Sequence, residues 1–356
     1  MNRVATCVVA SVVVILCGLA VLAPPSRYAV DGLSMAPGLL PGDVVTTGWF
    51  PSLDRLRQPR RHERWILTSP DGSPAIKRVV GLPGETVSIR DGDLAIGGQT
   101  VLTPPPLLAE LASAVPEATI VAASDDAAAG PWQRIISLPS VLDDAAFAPE
   151  ERRMLFPVRD VGLAAVIHLP ESPVDHAAVR VLARVGGFVV PWRLKASGRY
   201  AVVAGRLDGH VVGAAWPIAD ADGLPDNSRS CLPSQAPVAW DVVRPWSDGS
   251  PSAGAPDNAD DPPPALSLDI TSAGIPLGRG DADAMIEHLA VWRDILLRPS
   301  ADGVAEWQLG PDAHFFLGDF PSGSRDSRQW GPLGRSMLRS RATSLPRARS
   351  GLIKRL

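Results

Sequence analysis

Residues 75–85 read AIKRVVGLPGE. On an extended chain Ala75, Lys77 and Val79 share one face, and Ile76, Arg78 and Val80 share the other. That alternation predicts a strand over Ala75–Val80. The tetrapeptide that follows, LPGE (82–85), has the order of a type II turn. Its proline presets the second position and its glycine accepts the positive φ of the third. A strand closed by such a turn belongs to a β-protein, and the neighbouring sequence repeats the pattern.

LPGD (40–43) is a second turn of the same order. Short β-type runs lie at Val44–Trp49, Arg64–Thr68, Thr86–Arg90 and Asp93–Ile96, with Asp91-Gly92 and Gly97-Gly98 as breaks between them. The pattern changes near residue 103. TPPPLL opens a segment rich in Ala, Pro and Asp, with strand signals at Ala164–His168, Ala178–Val185, Gly187–Trp192, Arg199–Ala204 and Val211–Ala215. Their spacing favours a β-sandwich or jelly-roll. Residues 249–264, GSPSAGAPDNADDPPP, read as a disordered loop. Order is expected again at Leu266–Ile270 and His288–Leu297. From Ala313 the chain is strand-like once more, HFFLGDF, followed by PSGSRDSRQWGP.

Composition narrows the function classes. The 356 residues are enough for roughly two domains. A net charge of −4 lacks the basic excess of a nucleic-acid binder. Of three cysteines, Cys7 and Cys17 lie in an apolar run and leave Cys231 alone, so no disulfide framework is expected. The six histidines are scattered without metal-ligand spacing, so no metal is expected.

Val4 to Ala23 is uncharged and matches the ~20 residues of a membrane-spanning helix. A cleavable leader is the rival reading, although its apolar core would normally be ~7–15 residues. A buried soluble helix is the third.

Three places carry groups suited to chemistry. Ser34 stands in DGLSMAPGL (31–39), and taken alone it reads as a turn residue. Lys77 has small apolar neighbours on its own strand face. Desolvation disfavours a charged lysine, and a neutral one takes a proton from a serine. The plain alternative is a strand lysine whose amine reaches solvent. Asp326 and Arg328 lie two apart, which on a strand places them on one face. Ser324 is a further hydroxyl nearby.

SMAPGL (34–39), GDVV (42–45), IKRVVGLPGE (76–85) and GD…S-R-DSR-WGP (318–332) resemble the ordered boxes of bacterial-type signal peptidase I, a membrane-anchored serine–lysine peptidase family. The resemblance covers about 28–102 and 308–345, with the anchor, and leaves 103–307 unexplained. It implies a β catalytic domain in two parts, 28–102 and 308–345. Around these stand an anchor at 4–23, an inserted β-rich domain at 103–307 and a basic tail at 346–356. It implies Ser34 as nucleophile, Lys77 as general base and Ser324 as the hydroxyl that positions the lysine. Asp326 and Arg328 would be a supporting ion pair, and Met35 and Pro37 the floor beside the nucleophile. Some members carry a serine two residues before the nucleophile, and this chain has Gly32 there. The last box usually reads Gly-Asp-Asn and here reads Gly318-Asp319-Phe320. Position 38, often threonine, is glycine.

The expected partners are preprotein signal peptides and the lipid bilayer, with the catalytic domain on the extracytoplasmic side of the bacterial membrane. Trp192, Trp216, Trp240, Trp246 and Trp292 give the insert two readings: an aromatic surface for a protein or glycan, or a filled core. Two basic segments, 55–64 and 335–356, read either as contacts to anionic lipid or as a solvated loop and tail. A degenerate peptidase whose insert does the work is the alternative from the binding class. A self-cleaving repressor-type protease ranks below it, because a membrane span stands where those carry a DNA-binding domain. A specialised processing peptidase is a further reading.

Overall fold

The computed structural model describes residues 26–48, 54, 56–115, 119–122, 133–137, 141, 157–169, 179–194, 197–218, 232, 236–246, 266–272, 285–299, 303 and 305–344. The expected anchor at 4–23, the loop at 249–264, the tail at 346–356 and all three cysteines lie outside them. Among the described residues no helix is long and apolar enough to cross a membrane. The described chain is mainly β, and it divides into two compact units.

The first unit contains Met1–Arg90, Ala95–Gln99 and Arg298–Leu356. Its centre is a seven-stranded antiparallel sheet. In order across the sheet the strands are Arg27–Ala29, Val44–Thr47, Leu338–Ser344, Arg64–Thr68, Pro74–Gly81, Ala313–Leu317 and Leu333–Gly334. Trp65, Leu67, Val79, Phe316, Leu333 and Leu338 form a core cluster on this framework. Both predicted type II turns form. Asp43 N donates to Leu40 O and Glu85 N to Leu82 O, and Gly42 and Gly84 have φ of 89° and 82°. The acid closing each turn also caps it. Asp43 Oδ2 accepts from Leu40 N at 2.9 Å, and Glu85 Oε2 accepts from Leu82 N at 2.7 Å.

Of the two readings given to the basic segment 335–356, lipid contact or solvated tail, neither fits Leu338–Ser344, which lies within the expected second catalytic part, 308–345, and is an internal strand of the sheet. It pairs with Val44–Thr47 on one side and Arg64–Thr68 on the other. Its arginines are held along the sheet surface, with Arg339 Nε donating to Thr68 Oγ1 at 2.8 Å. Basic residues therefore do not prevent a paired strand where the charged heads find acceptors.

The second unit contains Asp91–Leu94 and Thr100–Leu297. Five strands, Phe188–Leu194, Val179–Val185, Leu266–Ser272, Gln133–Ser137 and Thr119–Ala122, make one sheet. Six strands make the other: Val242–Pro245, His210–Ile218, Gly198–Leu207, Val161–Leu169, Ile286–Arg293 and Ser113–Ala114. Val181, Ala183 and Trp192 of the first sheet share a core with Leu163, Val202 and Val211 of the second. The opposite face of the six-stranded sheet is covered too. There Val166, Val203, Leu207 and Trp292 pack with Leu108 of the helix Pro105–Leu111. Burial on both faces explains why VGLAAVIHL (161–169) is apolar almost throughout instead of alternating. Trp192, Trp216 and Trp292 are buried, and Trp240 and Trp246 pack half-buried against the same clusters. The tryptophans are core residues, the second of the two readings given them.

Candidate active site

Ser34 lies in a tight turn between the strands Arg27–Ala29 and Val44–Thr47. Two bonds close the base of this segment: Val30 N donates to Asp43 O, and Gly42 N to Val30 O, both at 2.8 Å. Within it Leu39 N donates to Met35 O, one helical turn back. Met35 and Leu39 are thereby presented together to a cluster with Val30, Val45, Tyr28 and Ile76. The apolar residues of SMAPGL thus anchor the turn, and Ser34 remains partly exposed at its start. Pro37 is buried beside them, and Gly32 is exposed, with open space where a side chain would project.

Lys77 projects from the strand Pro74–Gly81, which is held between Arg64–Thr68 and Ala313–Leu317. Its Nζ donates to Ser34 Oγ at 2.7 Å. Only 4% of Lys77 is exposed. Burial lowers its pKa to about 8, with Arg328 adding to the decrease and Asp326 and Asp319 opposing it. An amine with that proton affinity, in contact with a hydroxyl, has the geometry of a general base beside its nucleophile.

The segment 318–328 closes the site from below. Phe320 N donates to Ser34 O at 3.1 Å, which ties the serine turn to this box. A Cβ at position 318 would strike Ser324 and the Ser34 carbonyl, so glycine allows the close approach. Asp326 and Arg328 do pair, but not as strand neighbours. Asp326 is the N-cap of the short helix Ser327–Trp330, and its carboxylate takes Arg328 N, Nε and Nη2. The same carboxylate accepts from Gly318 N at 3.0 Å, linking the cap to the site. Ser324 lies next to the Ser34 carbonyl across Gly318 and is buried. Its Oγ has no hydrogen-bond partner among the described residues, so the hydroxyl is near the site but not bonded to Lys77.

Sequence reasoning missed the Arg78–Asp319 pair. Arg78 Nε and Nη2 donate to Asp319 Oδ1 and Oδ2 at 2.7 and 2.6 Å, and Nη1 donates to His62 O at 2.8 Å. Both side chains are buried. The alternation in AIKRVV already placed Arg78 opposite Lys77, and a buried arginine there requires an acid. Phe320, the departure from Gly-Asp-Asn, is buried with its ring against Gly323.

Residues 1–137 match the family described as signal peptidase, peptidase S26. Signal peptidase I V of Bacillus subtilis (strain 168) is 35% identical over 77 residues, which are 22% of this chain and 45% of that relative. The matched part thus spans about half the length of the relative. The family match includes Ser34 and Lys77 and stops short of Ser324, Asp326 and Arg328. Over its N-terminal part, then, this chain is similar to the signal peptidase, peptidase S26 family and to a bacterial signal peptidase I.

Proposed function

We propose that the chain is a serine endopeptidase of the signal peptidase I type, removing signal peptides from exported preproteins with a Ser34/Lys77 dyad. The observation that carries this is the 2.7 Å contact between a buried lysine amine and a partly exposed serine hydroxyl. In the neutral state Lys77 Nζ accepts the Ser34 proton as Oγ attacks the scissile carbonyl. The proton then passes to the leaving amine, and water releases the acyl-enzyme. The Ser34 N–H would stabilise the oxyanion, an effect of roughly 3 kcal/mol per donor in hydrolases of this general kind. No cofactor takes part.

The domain reading follows from the same proposal. The first unit is the peptidase, and the second is a β-sandwich inserted into it. Residues 4–23 anchor the chain in the cytoplasmic membrane with the peptidase outside. The substrate enters as an extended strand, with small side chains at −1 and −3 of the cleavage site. Asp326–Arg328 holds the box beneath Ser34, and Met35 and Pro37 form its floor.

The test is cleavage of a preprotein by the detergent-solubilised chain, with the new N-terminus read by mass spectrometry. Cleavage after Ala-X-Ala, lost in both Ser34→Ala and Lys77→Ala, is the expected result. Cleavage that survives in either variant would sink the dyad.

A further inference from the structure

Four aspartates from separate parts of the second unit converge. Asp93 opens the strand Asp93–Ile96, and Asp160 precedes Val161–Leu169. Asp208 lies in the turn between Gly198–Leu207 and His210–Ile218, and Asp294 follows Ile286–Arg293. One carboxylate oxygen from each of Asp93, Asp160 and Asp208 lies within 4.8 Å of the others. Backbone bonds fix the arrangement. Asp208 N donates to Asp160 Oδ2 and Asp294 N to Asp160 O, both at 2.8 Å. Thr103 N donates to Asp208 Oδ2 at 2.6 Å.

Asp294 supplies a second and independent observation. It is 4% exposed, and its Oδ1 has no hydrogen-bond partner among the described residues. Of the charges acting on its carboxyl, those of Asp208 and Asp160 are the largest. A buried carboxylate oxygen without a donor is costly, and more so beside other carboxylates. Two arginines bring positive charge to the group. Arg206 Nε is 3.6 Å from Asp160 Oδ1, with its guanidinium 4.8 Å from the Trp246 ring centroid, and Arg293 acts on Asp294.

We propose that Asp93, Asp160 and Asp208 bind a calcium-sized divalent cation, whose charge would also offset the buried, unpartnered carboxylate oxygen of Asp294. The donors are all oxygen, which selects a hard cation over zinc or copper. Size then separates the hard cations. Calcium–oxygen distances of about 2.3–2.6 Å place opposite ligands up to about 5 Å apart, whereas magnesium at about 2.0–2.1 Å requires about 4 Å. The three oxygens, all within 4.8 Å of one another, are close enough to share one such ion, and calcium can span the full width of that limit. The ion would tie together four chain segments at one end of the six-stranded sheet, giving the second unit a metal-dependent stability.

The full chain in detergent, stripped with a chelator, is titrated with calcium chloride in a calorimeter at pH 7.5, and separately with magnesium chloride. Binding of one calcium per chain, at about 1 mM or tighter, with weaker magnesium binding and a rise in thermal midpoint, is expected. Asp208→Asn and Asp93→Asn, close in shape to the native residues, should each weaken calcium binding at least tenfold. No heat and no thermal shift with 10-fold more calcium than that, or binding unchanged in both variants, would overturn the proposal. Should a variant fail to fold, the titration of the native chain still decides the matter.

Discussion

Two buried ionic clusters in this molecule are built on opposite terms. In the first unit each buried acid has its own arginine: Asp319 holds Arg78, and Asp326 holds Arg328. Lys77 is the cation left over, and it faces a neutral hydroxyl. In the second unit Asp93, Asp160 and Asp208 lie together beside the buried Asp294, with Arg206 next to Asp160 and Arg293 acting on Asp294. Burial disfavours charge in both places, so the surplus groups move toward neutrality from opposite ends. Lys77 falls to about 8, and Asp208 rises to about 7 under burial and the neighbouring Asp160. The proposed dyad would draw on the surplus base beside a serine, and the proposed cation site on the surplus carboxylates.

The sharpest way to break this contrast is to remove the surplus base. Lys77→Ala and Ser34→Ala should each lower preprotein cleavage by about 10⁴-fold or more, with the unfolding transition retained. Next comes the balanced pair. Asp319→Ala leaves Arg78 buried without its acid, and denaturant unfolding should report a loss of about 3–5 kcal/mol. A loss below 1 kcal/mol would mean that the pair is not the support described above. The second unit should fail through shape. A Cβ on Gly162 would meet Trp292 and the Ala204 carbonyl, so Gly162→Ala should cost about 1–3 kcal/mol in thermal unfolding.

A smaller effect tests the lysine's ionisation. Its folded pKa lies below the ordinary lysine value, so the neutral base gains population as pH rises through about 8. Activity should climb about tenfold per unit below that point and level above it, and a flat profile from pH 6 to 9 would remove the base from the mechanism. Smallest of all, Gly32→Ser enters open space and should change stability by no more than about 0.5 kcal/mol. Any gain in cleavage rate would measure an added oxyanion donor.

The strands Arg64–Thr68, Thr86–Arg90 and Asp93–Ile96 were legible in the sequence because they are short β-type runs bounded by clear turn signals. Ser34 and Lys77 were legible because short boxes surround them. Other features were hidden for physical reasons. Leu338–Ser344 gave no strand signal of its own, because its arginines are held by acceptors that only the folded sheet provides. Pro105–Leu111 gave no helix signal in the Pro-rich opening of its segment, although proline at the first turn of a helix is well tolerated. Asp326 and Arg328 were expected on a strand because a spacing of two also fits a helix cap. The aspartate cluster draws on residues about 200 positions apart, a proximity no local pattern encodes.

The strand Leu338–Ser344 also sets a schedule. It lies between Val44–Thr47, on the side of the Ser34 turn, and Arg64–Thr68, which pairs with the Lys77 strand. The sheet that unites the two sides gains its bridging strand only after the ribosome has passed residue 344. At about 5–20 residues per second, that is roughly 15–60 s after Val44 emerges. A nascent chain of this protein is therefore held short of its finished seven-stranded sheet for most of its own synthesis, a delay written into strand order.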